Sequence, residues 1–325
     1  MADTGWQFDA ARDWPARFGR NWLWTMLGEP GTQARAITTA KSVGCTDLIV
    51  LANDPPAVAP TFSAKFGAPA LVAFADQTRA AGMDFHLSSW LDPKAAYVDS
   101  AANGLADLVS ATKAKSVCLD LEGEWRKRIS NHSAFVAEVM RPAFKGFSVP
   151  IGITSFAKLP SEVLPALAWA LEYHNGYGQP QAYSVSTGKS WQFNAALQPD
   201  RLPGMAWDSW SPVTKKLVCL LAAWGSEIPG RAIAAGQWTG APWGVAESVE
   251  VAAAYSEAVG FRSIGWWSEE ALSSSSSSAA LRRAAIAQIR TTGKSVVRGR
   301  RTWLRRAAWA TGAAGVGYAA FKLLR

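Results

Sequence analysis

The sequence predicts an α/β chain folded as a (β/α)8 TIM barrel with a basic, apolar helical tail at its C-terminus. Three observations lead there. Eight short strand-like segments alternate with helix-patterned ones over about 270 residues, the usual size of such a barrel. The second of these, Asp47-Leu-Ile-Val-Leu-Ala-Asn53, is apolar throughout its interior, as a strand covered on both faces should be. The fourth, Ser116-Val-Cys-Leu-Asp120-Leu-Glu122-Gly-Glu124-Trp125, ends in three carboxylates, and parallel α/β folds keep their sites at the C-terminal ends of strands. A doubly wound open sheet is the runner-up. Against it, no Gly-rich phosphate turn follows any strand: Gly28-Glu-Pro-Gly31 matches neither nucleotide fingerprint.

The elements follow in order. Asn21–Leu27 reads as the first strand, and Thr32 is placed to cap a helix running to Ser42. After the second strand comes a Pro-rich loop, Asp54–Pro60, then a helix over Pro69–Ala81. Met83–Leu91 is the third strand, with Asp84, His86, Ser88 and Trp90 on its polar face. Pro93 opens a helix to Thr112. Beyond the fourth strand, a helix near Ser133–Phe144 is interrupted by Pro142. Val149–Phe156 is the fifth strand, and Pro160 and Ser161 open a helix ending near Leu171. Gly176–Ser184 is a short sixth strand containing Pro180. Lys216–Trp224 is the seventh, reached through a long connection over 185–214. A Trp- and Gly-rich loop leads to a helix over Val245–Val259, and Phe261–Glu270 is the eighth strand. A six-serine run, Ser273–Ser278, precedes a helical pattern over Ala279–Arg290.

Composition narrows the function. Hydrophobic residues make up 49% of 325, enough for a large core. The three cysteines, Cys45, Cys118 and Cys219, match no metal spacing and read as buried thiols. His132 and His174 have no partner at ligand spacing, so neither a zinc site nor any other cofactor is expected. The net charge of +8 is uneven: no acid follows Glu270, and eleven Lys or Arg fall between Ala279 and Arg325. Without those eleven, 22 basic residues face 25 acidic ones, so the remainder carries −3 and the main domain does not read as a nucleic-acid binder.

In a barrel the C-terminal strand ends converge on one pocket. Collected here they give Asn53, His86, Ser88, Trp90, Asp120, Glu122, Glu124, Thr154, Gln181, Tyr183, Trp224, Trp267 and Glu269. Carboxylates among aromatic rings and small polar groups suit a carbohydrate, whose C–H faces stack on rings and whose hydroxyls need polar partners. Strand alternation puts Cys118, Asp120, Glu122 and Glu124 on one face. Acids crowded there raise one another's proton affinity, as proton donation to a glycosidic oxygen requires. The plain alternative is an acidic loop whose carboxylates are solvated or cap the next helix. Glu269 and Glu270 likewise read either as mouth residues or as caps of the serine loop.

At Leu-Asp120-Leu-Glu122 the chain resembles the Asp-x-Glu strand of barrel glycosidases that cleave N-acetylated polymers, the family 25 lysozymes and, more distantly, the family 18 chitinases. Ile264-Gly-Trp-Trp-Ser-Glu resembles their tryptophan-bearing last strand, and Tyr183 matches their pocket tyrosine. The resemblance implies that Glu122 is the general acid and that Asp120 orients a substrate acetamido group, which attacks the anomeric carbon. The pattern also aligns as Glu122-Gly-Glu124, which makes Glu124 the acid. Convergence of the strand ends assigns substrate-binding roles to His86, Trp90, Trp224 and Glu269, and the resemblance adds Tyr183 and Trp267. The lysozymes carry an acid at the end of strand one, where this chain reads Leu23-Trp-Thr-Met-Leu27, and the usual Asp beside the strand-six tyrosine is also missing. These departures leave a non-catalytic, glycan-binding or virion structural barrel as the second reading.

Two units are expected: a glycosidase-like barrel over 1–290 and a tail over 291–325. The tail's basic run leads into Ala307–Phe321, fifteen uncharged and mostly small residues, shorter than the roughly 20 needed to span a bilayer. An interfacial helix drawn to anionic lipid fits this pattern, and docking on a protein partner is the alternative. The N-terminus lacks the basic and apolar regions of a secretory signal. Together these features predict a protein made in the cytoplasm that acts on peptidoglycan at the bacterial envelope or from a virion, in the manner of a bacteriophage lytic enzyme.

Overall fold

The computed structural model describes residues 20–26, 32–53, 61–156, 161–181, 218–222 and 263–267, together with all of 269–287 except 274, 276–278, 281, 282 and 285. Eight strands hydrogen-bond in sequence order and close on themselves: β1 (Arg20–Thr25), β2 (Asp47–Leu51), β3 (Asp84–Trp90), β4 (Val117–Asp120), β5 (Ile151–Phe156), β6 (Tyr177–Gln181), β7 (Val218–Ala222) and β8 (Ser263–Trp267). Every pairing is parallel, and β8 meets β1 through Gly265 against Trp22. The closing pairs rule out the open sheet.

Helices α1 (Gln33–Ser42), α2 (Ala68–Ala80) and α3 (Ala95–Thr112) follow the first three strands. After β4 come α4 (Gly123–Arg128), α5 (His132–Phe135) and α6 (Arg141–Ala143). α7 (Leu164–Tyr173) follows β5, and α8 (Glu269–Ser273) follows β8. The expected helix over 245–259, the long connection over 185–214 and the tail over 291–325 lie outside the described residues.

Alternation sorts the strands into two faces. Leu23, Leu48, Val50, Phe85, Leu87, Val117, Leu119, Ile151 and Ile153 join one apolar cluster with Ala36, Leu71, Phe74, Leu105 and Leu167 from the helices. The alternate residues line the barrel interior. That interior mixes Trp22, Ile49 and Tyr177 with a polar set, His86, Ser88, Ser116, Thr154 and Gln179, all fully buried, where such barrels are usually filled by branched apolar side chains. Gly152 is required here. A Cβ at that position would stand 2.5 Å from Cε2 and Cζ of the Tyr177 ring.

Three local expectations are corrected. Thr32 precedes α1 but makes no side-chain cap; its own backbone is already helical and its carbonyl accepts from Ala36. Pro142 does not break its helix. Between α5 and α6 the chain widens into a π-helical turn, Val136–Met140, which absorbs the N–H and the ring clearance that proline removes. The fourth strand stops at Asp120, so alternation cannot be carried on to Glu124.

Candidate active site

The C-terminal end of β4 is held from both sides. Register sets Asp120 between Trp90 of β3 and Thr154 of β5. The Leu121 N–H donates to the Thr154 carbonyl at 3.0 Å, and the Ser155 hydroxyl donates to the Leu121 carbonyl at 2.7 Å. Glu122 then takes the N-cap position of α4, with extended backbone angles of φ −112° and ψ −146°. Its side chain does not cap that helix. It turns instead to Gln181, the last residue of β6.

Gln181 ties the site together. Its Nε2 donates to Asp120 Oδ1 at 3.3 Å and to Glu122 Oε1 at 3.0 Å, one amide hydrogen for each carboxylate. Thr154 Oγ1 lies 3.5 Å from the same nitrogen, and its own proton goes to the Gln179 carbonyl at 2.8 Å. Two acids thus converge on one nitrogen in a half-buried setting. Burial, and then the charge of Glu122, raise the Asp120 pKa well above the ordinary carboxylate range, with the Gln181 amide opposing them. One layer below, burial and then the Asp120 charge push the Cys118 thiol up as well.

Asn53 is used to fix this rim. Its Nδ2 donates to the Trp90 carbonyl at 3.0 Å and to Tyr97 Oη at 2.7 Å, while its Oδ1 accepts from the Trp90 N–H at 3.1 Å. The amide prolongs the β2–β3 ladder past the end of β2 and holds half-buried Trp90 beside Asp120.

Three expected site residues lie elsewhere. Glu124 sits in the first turn of α4, where its carboxylate pairs with Arg128 at 2.7 Å and with Lys127 at 3.6 Å. His86 does point into the barrel, but at its opposite end. Its Nε2 meets Asp47 Oδ1 at 3.0 Å, its Nδ1 meets Ser116 Oγ at 2.7 Å, and Ser116 Oγ meets Tyr177 Oη at 2.8 Å. Asp47 begins β2 and Tyr177 begins β6, so this fully buried network, stacked on Trp22 at 4.2 Å, forms the floor and cannot touch a substrate at the mouth. Glu269 lies outside the barrel wall. Fully buried, it takes a two-pronged contact from Arg35 at 3.1 Å for each oxygen and so binds α8 to α1.

Tyr183 and Trp224 lie outside the described residues. The backbone of Trp267 ends β8 opposite Ala222, and its side chain lies outside what is described. Sequence reasoning gathered Gln181 into the mouth but gave it no role; its place on the face shared with Gln179 and Tyr183 was the available signal. Among the described residues, no cluster of His, Cys, Asp or Glu could hold a metal ion. His132 Nε2 donates to the Trp125 carbonyl at 3.0 Å, and burial lowers the pKa of His174 to about 4.

No known protein-family profile matches the sequence, and no curated protein matches it. Solved structures do. The chain is similar to a chitinase from Bacteroides thetaiotaomicron with a TM-score of 0.57 and 8% identity, over 86% of this chain and 99% of that one. It is similar to the catalytic domain of a hyperthermophilic chitinase from Pyrococcus furiosus with a TM-score of 0.55 and 11% identity, over 91% and 97% of the two chains. A chitinase from Rhizomucor miehei aligns with a TM-score of 0.52 and 13% identity, over 83% and 99%. At these identities the likeness is one of fold.

Proposed function

We propose that this protein is a glycoside hydrolase that cleaves a β-1,4 bond beside an N-acetylated sugar, with Glu122 as proton donor. The observation that carries the reading is the pair of carboxylates, Asp120 and Glu122, bridged by the Gln181 amide at the C-terminal end of the barrel. Glycoside cleavage needs a proton for the departing oxygen and a negative group near the forming oxocarbenium ion.

In this reading Asp120 accepts the acetamido N–H of the sugar and aims its carbonyl oxygen at the anomeric carbon. As the C1–O bond breaks, Glu122 transfers its proton to the leaving oxygen, and the acetamido oxygen bonds to C1. Water then attacks C1 and returns a proton to Glu122. Two inversions leave the anomeric configuration unchanged. Trp90 offers a half-buried indole beside Asp120 for a sugar face.

Peptidoglycan is the finer substrate proposal, and chitin is the alternative drawn from the names of the similar structures. Action at a bacterial envelope, with the basic tail as the attachment, rests on the composition of 291–325 alone. The rates of Glu122→Gln, Asp120→Asn and Glu124→Gln on N-acetylated oligosaccharides test the assignment. Loss of a general acid costs ~10²–10⁴-fold, so Glu122→Gln should be nearly inactive and Asp120→Asn severely impaired, with Glu124→Gln close to the parent. A dead Glu124→Gln with an active Glu122→Gln would move the acid to Glu124.

A second reading is a non-catalytic glycan-binding barrel. The bridging amide favours it to the extent that Gln181 occupies an acceptor position on each acid. Binding of oligosaccharide without release of reducing ends would select that reading.

A further inference from the structure

The layer between the carboxylates and the barrel floor holds two polar groups without a hydrogen-bond partner among the described residues. Ser88 and Gln179 are both fully buried, and neither Ser88 Oγ nor Gln179 Nε2 has a hydrogen-bond partner among the described residues. They are not scattered. Ser88 is the register partner of Cys118, and Cys118 Sγ donates to Gln179 Oε1 at 3.4 Å, so the two orphan groups flank one thiol on the same interior face. Above stands Asp120; below lie His86 and the Tyr177 ring that fills the space left by Gly152.

A buried amide N–H without an acceptor and a buried hydroxyl without a partner are each costly, and native proteins meet such groups with ordered water that bonds to about three of them. We propose that the barrel interior contains a water-binding site formed by Ser88, Cys118 and Gln179, directly beneath the Asp120–Glu122 pair. The water accepts from Gln179 Nε2 and exchanges a hydrogen bond with Ser88 Oγ, and Cys118 Sγ supplies a weak third contact. The site joins the polar floor to the carboxylate layer and makes the two orphan groups a matched pair. It depends on the fold alone and not on the proposed activity.

The test uses the full chain. A high-resolution crystal structure should show one ordered water within about 2.7–3.2 Å of both Ser88 Oγ and Gln179 Nε2. Thermal unfolding of Ser88→Ala, Gln179→Leu and the double variant provides an independent reading. A shared water predicts that each single change lowers the melting temperature and that the double change lowers it by clearly less than the two single drops combined. A dry layer, or a Gln179 amide turned to bond Ser88 directly, overturns the proposal. So does a rise in melting temperature on Ser88→Ala, which would mean that an unsatisfied hydroxyl had been removed, and so does strict additivity of the two changes.

Discussion

Replacing Asp120 by Asn should make the protein more stable wherever both carboxylates are ionised, while it disables the site. Asp120 Oδ1 and Glu122 Oε1 lie 3.3 and 3.0 Å from one amide nitrogen, so their separation cannot much exceed about 6 Å. Two like charges at that distance repel by about 3 kcal/mol at an effective dielectric of 20. Against this, Asn accepts a weaker bond from Gln181 than a carboxylate does, a loss of about 1 kcal/mol. The net gain is roughly 1–2 kcal/mol, or about 1.5–3 °C in a chain of this size. The sign of its pH dependence follows from the raised pKa of Asp120, which burial causes first and Glu122 second. The folded state holds a proton that the unfolded chain releases near pH ~3.9. Wild-type stability from this group is therefore fully present in acid and is lost as pH rises through the folded midpoint. The Asp120→Asn variant lacks that titration, so the gap between variant and parent should widen with pH. Calorimetric scans of both proteins from pH 4 to 8 measure it. A variant no more stable than the parent at the alkaline end of the scan, or a gap independent of pH, would refute the charge-crowded pair.

Other expectations follow from the same contacts. His86→Ala leaves Asp47 buried without its imidazole and should cost roughly 3–5 kcal/mol, while KM for oligosaccharide in any surviving folded protein stays unchanged because the floor is remote from the mouth. Gly152→Ala drives a methyl to 2.5 Å from the Tyr177 ring and should cost about 1–3 kcal/mol, read as a lower denaturation midpoint with an unaltered slope. For the tail, co-sedimentation with anionic vesicles should be strong for the full chain and absent for a version ending at Arg290; equal binding by the two would remove the tail from the account.

The wall of the barrel was legible because Leu48, Val50, Leu87 and Leu119 all pack where alternation put them. The same alternation says whether a side chain faces inward but not at which height. His86 and Asp120 both face the interior, yet one belongs to the floor and the other to the rim; only the stagger between neighbouring strands separates them. Glu124 was misplaced because a period of two was extended beyond Asp120, and Gly123 starts a helix there. Glu269 follows β8 in sequence but opens α8, whose partner Arg35 is 234 residues away, a pairing that no local pattern encodes. Gln181 stood in the gathered mouth as one polar residue among many. Its bridge between two acids 61 and 59 residues distant arises from barrel closure alone.

The central claim is that Asp120 and Glu122 cut a glycosidic bond. Incubation of the purified full chain with N-acetylated chitin oligomers and, separately, with peptidoglycan, followed by assay of new reducing ends, tests it most directly. The account predicts release from at least one polymer, with the product anomer matching the substrate linkage and activity falling ~10²–10⁴-fold in Glu122→Gln. Binding of both polymers with no new reducing ends, or equal release by parent and Glu122→Gln, would contradict it.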